Sequence, residues 1–193
     1  KRIPVGAGMA GGSADAAAVL RGMNELFERR VSDARLEEIA GDVGSDVPFC
    51  VRGGTVLAEG RGEVLSPLPP LPECVFVICK PDFSISTPEL FKKLDMVRSH
   101  HHPDTAGIVA ALKTRDLPQL CRRMYNVFEN VDDRRMKAVA EIKSALLDRG
   151  ALGAVMTGTG SAVFGIYGSE SAAAAACDAL KEVYGFCCTA KPV

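Results

Sequence analysis

The order of apolar segments between residues 74 and 190 restricts the folds that this chain can adopt. A strand-like run "CVFVICK" (74–80) precedes a helix that starts at Thr87, and two more strand-like runs, "LGAVMT" and "AVFGIY", surround a glycine turn. A helix over 170–184 and a last strand "FCCTAKP" complete the series. Without additional helices this is β-α-β-β-α-β, the order of the ferredoxin-like split βαβ motif. We therefore predict a ferredoxin-like fold for this part of the chain.

Further helices are predicted near 106–113, 116–130 and 132–149, and the chain before residue 70 follows a different order. It reads loop, helix, helix and hairpin, with Ser13 or Asp15 as the cap of the first helix. Alternating apolar and polar residues across "VPFCVRGGTVLAEGRGEVLSPL" (47–68) predict the hairpin, with its turn at 60–62. These strands are too few to cover the apolar faces of the helices, so we expect a segment in front of them.

Charge and composition exclude several classes of protein. The chain has 23 basic and 24 acidic residues and a net charge of −1, which argues against a nucleic-acid partner, since such binding needs a basic face. No apolar run approaches the roughly 18 residues that span a bilayer, so we expect no membrane partner. The sequence contains no basic segment followed by a hydrophobic stretch and a cleavage site, so we do not expect secretion. The seven cysteines form no CxxC pair, so reduced thiols and a cytoplasmic location are expected.

The run "PVGAGMAGGSADAAAVL" (4–20) places a glycine loop directly before an alanine-rich helix. Glycines let the backbone approach a ligand closely, and a helix N-terminus offers free N–H groups, so the loop predicts anion binding. It is not a Walker A loop, because no lysine follows its glycines. Gly6–Gly11 matches GxGxxG, but the acidic strand end of a dinucleotide fold is missing about 20 residues later. A flexible connection is the non-functional alternative.

The loop resembles the P-x-G-x-G-L-G-S/G-S-A/S motif of the superfamily of galactokinase, homoserine kinase, mevalonate kinase and phosphomevalonate kinase. Two positions depart from the motif, because Met9 and Ala10 replace the commoner leucine and glycine. The resemblance implies that the loop binds the phosphates of ATP. The phosphate-binding residues would be Pro4, Gly6, Ala7, Gly8, Met9, Ala10, Gly11, Gly12, Ser13 and Ala14.

The run "GSDVPFC" (44–50) contains an aspartate that would ordinarily be a turn or cap residue. It resembles the G-[AS]-D-V-P-F segment of the 4-diphosphocytidyl-2-C-methyl-D-erythritol kinase family, in which this aspartate is the catalytic base. The resemblance assigns that role to Asp46, a carboxylate suited to orient an alcohol and accept its proton. The loop from Lys1 and the hairpin over 58–68 resemble the same family.

Two further runs resemble parts of that family that contact the substrate. "SISTPELFKKL" (84–94) implies that Thr87 contacts the substrate and that Phe91 stacks on the cytosine ring. The alternative for Phe91 is an anchor in the core of an amphipathic helix. "TGTGSAVFG" (157–165) implies that Gly158, Thr159 and Gly160 help to position the substrate, in addition to making a tight turn. We interpret "YNVFENV" (125–131) as packing.

The metal expected for such a kinase is Mg²⁺, which accompanies ATP and keeps several of its waters. Ser13 and Asp15 are the candidate ligands. The histidines of the run 100–102 are expected in a solvated loop, because no carboxylate or cysteine cluster joins them.

The sequence therefore predicts an α+β chain with a two-domain kinase fold. Residues 1–70 would be the remainder of an N-terminal ATP-binding kinase domain, a partial ribosomal-protein-S5-like domain, and 71–193 a ferredoxin-like C-terminal kinase domain with extra helices. The family's N-terminal segment, with a lysine that pairs with the catalytic aspartate, would precede Lys1.

The resemblance implies ATP-dependent phosphorylation of the 2-hydroxyl of 4-diphosphocytidyl-2-C-methyl-D-erythritol, in non-mevalonate isoprenoid biosynthesis. The expected partner is this small cytidine diphosphate-linked substrate, and the expected state is a monomer or a weak homodimer. Two alternatives stay open: a sibling kinase of the homoserine or phosphomevalonate type, and a truncated module that binds without catalysis.

Overall fold

The structure is a computed structural model and describes residues 2–28, 31–97 and 101–192. It forms two compact units. The larger unit contains residues 2–9 and 71–192, and the smaller unit contains residues 10–70. Lys1, at the start of the run that resembles the kinase family, and His100 lie outside the described residues. His101 and His102, predicted in a solvated loop, are exposed.

The smaller unit consists of three helices and a hairpin. The helices are α1 (Gly11–Leu26), α2 (Asp33–Val43) and α3 (Val47–Arg52), and the antiparallel strands are β1 (Val56–Glu59) and β2 (Val64–Pro67). Its core is formed by the buried side chains of Ala17, Leu36, Ala40, Val47 and Val51. Asn24 joins α1 to the start of α2, because its side chain donates to the Val31 carbonyl at 3.0 Å and accepts from the Val31 N–H at 2.9 Å.

Two predictions for this unit are wrong in detail. Helix α1 begins at Gly11 instead of after Ser13 or Asp15, because Ala10 adopts a left-handed conformation (φ 47°) that turns the chain directly into the helix. Neither Ser13 nor Asp15 therefore occupies the cap position. Residues 47–52, predicted as part of the hairpin, form α3, where a proline in the first turn is preset for helix.

The larger unit contains the predicted ferredoxin-like order. Its elements are β3 (Val75–Lys80), α4 (Thr87–Leu94), α5 (Thr105–Lys113), α6 (Leu117–Arg122), a 3₁₀ helix (Val127–Asn130), α7 (Arg135–Leu147), β4 (Gly153–Met156), β5 (Val163–Tyr167), α8 (Glu170–Lys181) and β6 (Phe186–Ala190). The strands form one antiparallel sheet in the order β4-β5-β3-β6. This order confirms the ferredoxin-like prediction.

The sheet is covered on one face by helices α7 and α8. Alternate residues of β3, namely Val75, Val77 and Cys79, are buried in the same core as Ile142 of α7 and Leu180 of α8. Burial of this core supplies the main favourable term in the stability of the unit.

The predicted helix over 116–130 is wrong in its second half. Helix α6 ends at Arg122, and Asn126 is extended (φ −133°) before the 3₁₀ helix. The Asn126 side chain donates to the carbonyls of Met156 at 2.8 Å and Gly158 at 2.7 Å. These tertiary bonds hold the backbone outside the helical conformation.

Candidate functional site

The first half of the glycine loop packs on the turn that follows β4. The Thr157 hydroxyl donates to the Gly8 carbonyl at 2.9 Å, and the Ala162 N–H donates to the Ala7 carbonyl at 3.1 Å. A Cβ atom on Gly8 (φ 70°) would lie 2.2 Å from the Thr157 carbonyl oxygen and 2.8 Å from the Gly160 nitrogen. Only glycine fits this position, because both the positive φ and the close approach exclude a side chain. The structure thus brings together two runs that the sequence analysis placed at the site separately.

The turn over 157–162 is itself fixed from several sides. Gly158 and Gly160 have positive φ angles of 52° and 79°, as tight turns require. Ser161 is fully buried, and its hydroxyl donates to the Phe83 carbonyl at 2.6 Å. The two bonds from Asn126 described above hold the beginning of the turn. Sequence reasoning missed Asn126 as a supporting residue, although an asparagine before a helical segment is a recognisable cap signal.

Helix α4 carries the two residues assigned to the substrate. Thr87, in its first turn, shares a hydrogen bond of 2.8 Å with Thr159 of the turn through their hydroxyl oxygens. Phe91 is 50% exposed, whereas its neighbour Leu90 is fully buried and is the core anchor of the helix. The ring of Phe91 meets that of Phe128 edge to face, with centroids 4.9 Å apart. The exposed part of the Phe91 ring is therefore available to a ligand.

The second half of the glycine loop belongs to the smaller unit and forms the start of α1. The Ala14 N–H donates to the Ala10 carbonyl at 2.9 Å, which closes the first helical turn. Among the described residues, no side chain caps this end of the 16-residue helix, and the first turn contains no acidic residue. The dipole of such a helix places partial positive charge at its N-terminus, which favours an anion.

Asp46 lies at the position before α3 in the smaller unit. Its side chain is exposed and does not cap the helix, while its carbonyl accepts from the Cys50 N–H at 3.3 Å. The hairpin turn lies beside it, because a Cβ on Gly62 (φ 111°) would be 3.8 Å from the Asp46 carboxylate oxygen Oδ1. Burial, followed by the negative charge of Asp46, raises the pKa of the Cys50 thiol.

The candidate magnesium ligands, Ser13 and Asp15, lie in the first turns of α1. Ser13 is half-buried and Asp15 is exposed. Within the described ranges, no three His, Cys, Asp or Glu side chains are grouped to hold a metal. None of the described helices is long and apolar enough to cross a membrane.

Comparison with known families matches both ends of the chain. The family described as GHMP kinases N terminal domain matches residues 1–54, and GHMP kinases C terminal matches residues 108–185.

Two curated relatives carry the same name. The 4-diphosphocytidyl-2-C-methyl-D-erythritol kinase of Syntrophomonas wolfei subsp. wolfei is 45% identical over 173 residues, which is 90% of this chain and 61% of the relative. The enzyme of that name from Clostridium botulinum (strain Hall) is 42% identical over 184 residues, covering 95% of this chain and 66% of the relative. The chain thus spans less than two thirds of the length of these relatives.

Solved structures agree with the sequence comparisons. The crystal structure of a 4-(cytidine 5'-diphospho)-2C-methyl-D-erythritol kinase superposes with a TM-score of 0.83 at 31% identity, covering 99% of this chain and 68% of that one. Homoserine kinase from Cytophaga hutchinsonii gives a TM-score of 0.79 at 22% identity, covering 100% of this chain and 68% of that chain. The second likeness shows the fold alone.

Proposed function

The chain belongs to the GHMP kinase family, and from this membership we propose that the protein transfers the γ-phosphate of ATP to the 2-hydroxyl of 4-diphosphocytidyl-2-C-methyl-D-erythritol. One observation carries the choice of substrate: relatives with this name are 42% and 45% identical over at least nine tenths of the chain. The reaction would serve non-mevalonate isoprenoid biosynthesis in the cytoplasm, in a monomeric or weakly dimeric protein. The domain division at residue 70 is part of the same proposal.

The backbone amides from Gly8 to Ser13 hold the phosphates of ATP in this proposal. Support comes from the close packing that only glycine permits at position 8 and from the N-terminus of α1, which no side chain of the described residues caps. Neither feature needs a positively charged side chain, because oriented N–H groups and the helix dipole attract the phosphate charge. Mg²⁺ would be held by Ser13 and Asp15 and by water, and when bound it neutralises charge on the phosphates.

Asp46 receives the proton of the substrate hydroxyl. As that oxygen attacks the γ-phosphorus, the O–H bond breaks, the new O–P bond forms, and the bond to the ADP oxygen breaks in line. The exposed carboxylate, which caps no helix, supports this role. The barrier falls mainly through positioning and electrostatic stabilisation.

The cytidine end of the substrate is recognised by α4 and the neighbouring turn. Phe91 stacks on the cytosine, which suits an aromatic ring that is half exposed yet supported by Phe128. The paired hydroxyls of Thr87 and Thr159 offer polar contacts beside it, and Gly158 and Gly160 let the backbone approach the ligand.

A coupled assay of ADP release from the complete protein tests the proposal. The cytidine substrate, homoserine and phosphomevalonate are supplied separately with ATP. We expect turnover with the cytidine substrate only. Preference for a cytidine-free alcohol would assign the protein to a sibling kinase, and binding of ATP without ADP release from any substrate would indicate a non-catalytic module.

A further inference from the structure

A buried carboxylate fastens α4 to the start of α7 in the larger unit. The Asp133 side chain is only 1% exposed. Its Oδ2 accepts from Lys93 Nζ of α4 at 2.8 Å, and its Oδ1 accepts from Arg135 Nε at 2.8 Å and from the Arg135 backbone N–H at 2.9 Å. The carboxylate thus accepts hydrogen bonds from both α4 and α7, and its α4 donor Lys93 is 40 residues away in the sequence.

Glu89 completes the cluster from the same helix. It accepts from Arg135 at 2.7 Å and lies 3.6 Å from Lys93 Nζ, one helical turn away. Two acids and two bases leave the cluster neutral, so the buried charge of Asp133 is balanced by the partly exposed side chains around it, and α4 is attached at two points. The Arg135 hydrogen bonds hold the pKa of Asp133 well below its usual range, and the carboxylate is charged at neutral pH.

Helix α4 depends on such attachments because it has only eight residues. Helices this short have little stability of their own in water. Leu90 fixes its depth in the core, and the cluster fixes its rotation at Glu89 and Lys93. Phe91 lies between these two positions in the sequence.

We propose that Asp133 is a positioning residue that holds α4 so that Phe91 and Thr87 present a fixed surface to the cytidine end of the substrate. This inference rests on the proposed function. Asp133 acts through α4 and contacts no reacting atom, so its loss weakens substrate binding and spares phosphoryl transfer.

The test substitutes Asp133→Asn in the complete protein, which keeps the side-chain shape and removes the charge. We expect the KM for the cytidine substrate and the Kd for CDP, measured by calorimetry, to rise about three- to tenfold. The kcat and the KM for ATP are expected to stay within about twofold of the parent values. A raised KM at constant kcat indicates that substrate binding is lost and the chemical step is not. Hydrogen exchange of residues 87–94 increases in the free protein.

Two other variants make the test specific. Lys93→Gln removes one arm of the cluster and leaves Asp133 paired with Arg135, so the same changes are expected at smaller size. Lys92→Gln, the matched control, removes an exposed charge from the same helix and leaves the cluster intact. If Asp133→Asn does not fold, the same measurements on Lys93→Gln, compared with those on Lys92→Gln, test the proposal.

The outcomes separate the two proposals. Faster exchange at α4 with unchanged CDP affinity would overturn the positioning role, and unchanged exchange would overturn the fixing of α4 itself. A fall in kcat at constant KM for the cytidine substrate would also overturn the positioning role. A parent protein that neither binds CDP nor phosphorylates the cytidine substrate would refute the proposed function, and exchange at α4 would then decide the fixing role alone.

Discussion

Substituting Gly8 by alanine should damage both the stability and the activity of the complete protein. The new Cβ would lie 2.2 Å from the Thr157 carbonyl oxygen, where real contacts essentially never fall below 3.0 Å. This oxygen and the Gly160 nitrogen, 2.8 Å from the new Cβ, are both backbone atoms. Because no side chain can rotate away, the glycine loop or the turn over 157–162 must move. The left-handed φ of 70° adds about 1–2 kcal/mol of strain for a residue with a Cβ.

The expected losses follow from these distances. Displacement by about 1 Å of groups that position a substrate lowers kcat/KM by about a hundredfold. The free energy of unfolding should fall by at least this strain energy, and the melting temperature should fall with it. The control is Gly22→Ala in α1, where a Cβ meets nothing within 4 Å and alanine raises helix stability by about 0.5–1 kcal/mol. Parent-like activity and melting temperature in Gly8→Ala would refute the packing argument.

Three further predictions concern single side chains. Asp46→Ala should lower turnover at least about a hundredfold with little change in thermal stability, and near-normal turnover would remove Asp46 from the mechanism. Phe91→Ala should weaken binding of the cytidine substrate by about 1–3 kcal/mol in KM measurements while the KM for ATP stays constant; an equal loss for both would argue against base stacking. Burial raises the pKa of Tyr167 to about 12 from its ordinary value near 10. Its contribution to stability is therefore complete below pH 10 and lost as the pH rises towards 12. The free energy of unfolding of Tyr167→Phe, measured in urea, should therefore vary less steeply with pH between 10 and 12 than that of the parent protein. An equally steep dependence on pH would contradict the raised pKa of Tyr167.

The fold of the larger unit could be predicted because its signals are local. Apolar strand runs, the helix start at Thr87 and the glycine turn each reflect neighbouring residues. The helix predicted over 116–130 failed because Asn126 is held by carbonyls about 30 residues away, which no local pattern reports. The start of α1 failed for a related reason, since the left-handed turn at Ala10 is unusual for alanine.

The candidate site was predictable as separate motifs and not as contacts. The loop, the turn and α4 were each recognisable from sequence, but Gly8 and Thr157 are 149 positions apart and Thr87 and Thr159 are 72 apart. Such pairs arise from the topology of the sheet. The two interpretations of Phe91 also needed the structure, which places Leu90 in the core and leaves Phe91 half exposed.

The most direct test of the proposed function is the position of the phosphate in the product. The complete protein is incubated with ATP and 4-diphosphocytidyl-2-C-methyl-D-erythritol, and the product is analysed by phosphorus NMR and mass spectrometry. We expect one new monophosphate ester on the 2-hydroxyl, formed in equal amount to ADP. Transfer to another hydroxyl, or ADP formed without a phosphorylated cytidine product, would contradict it.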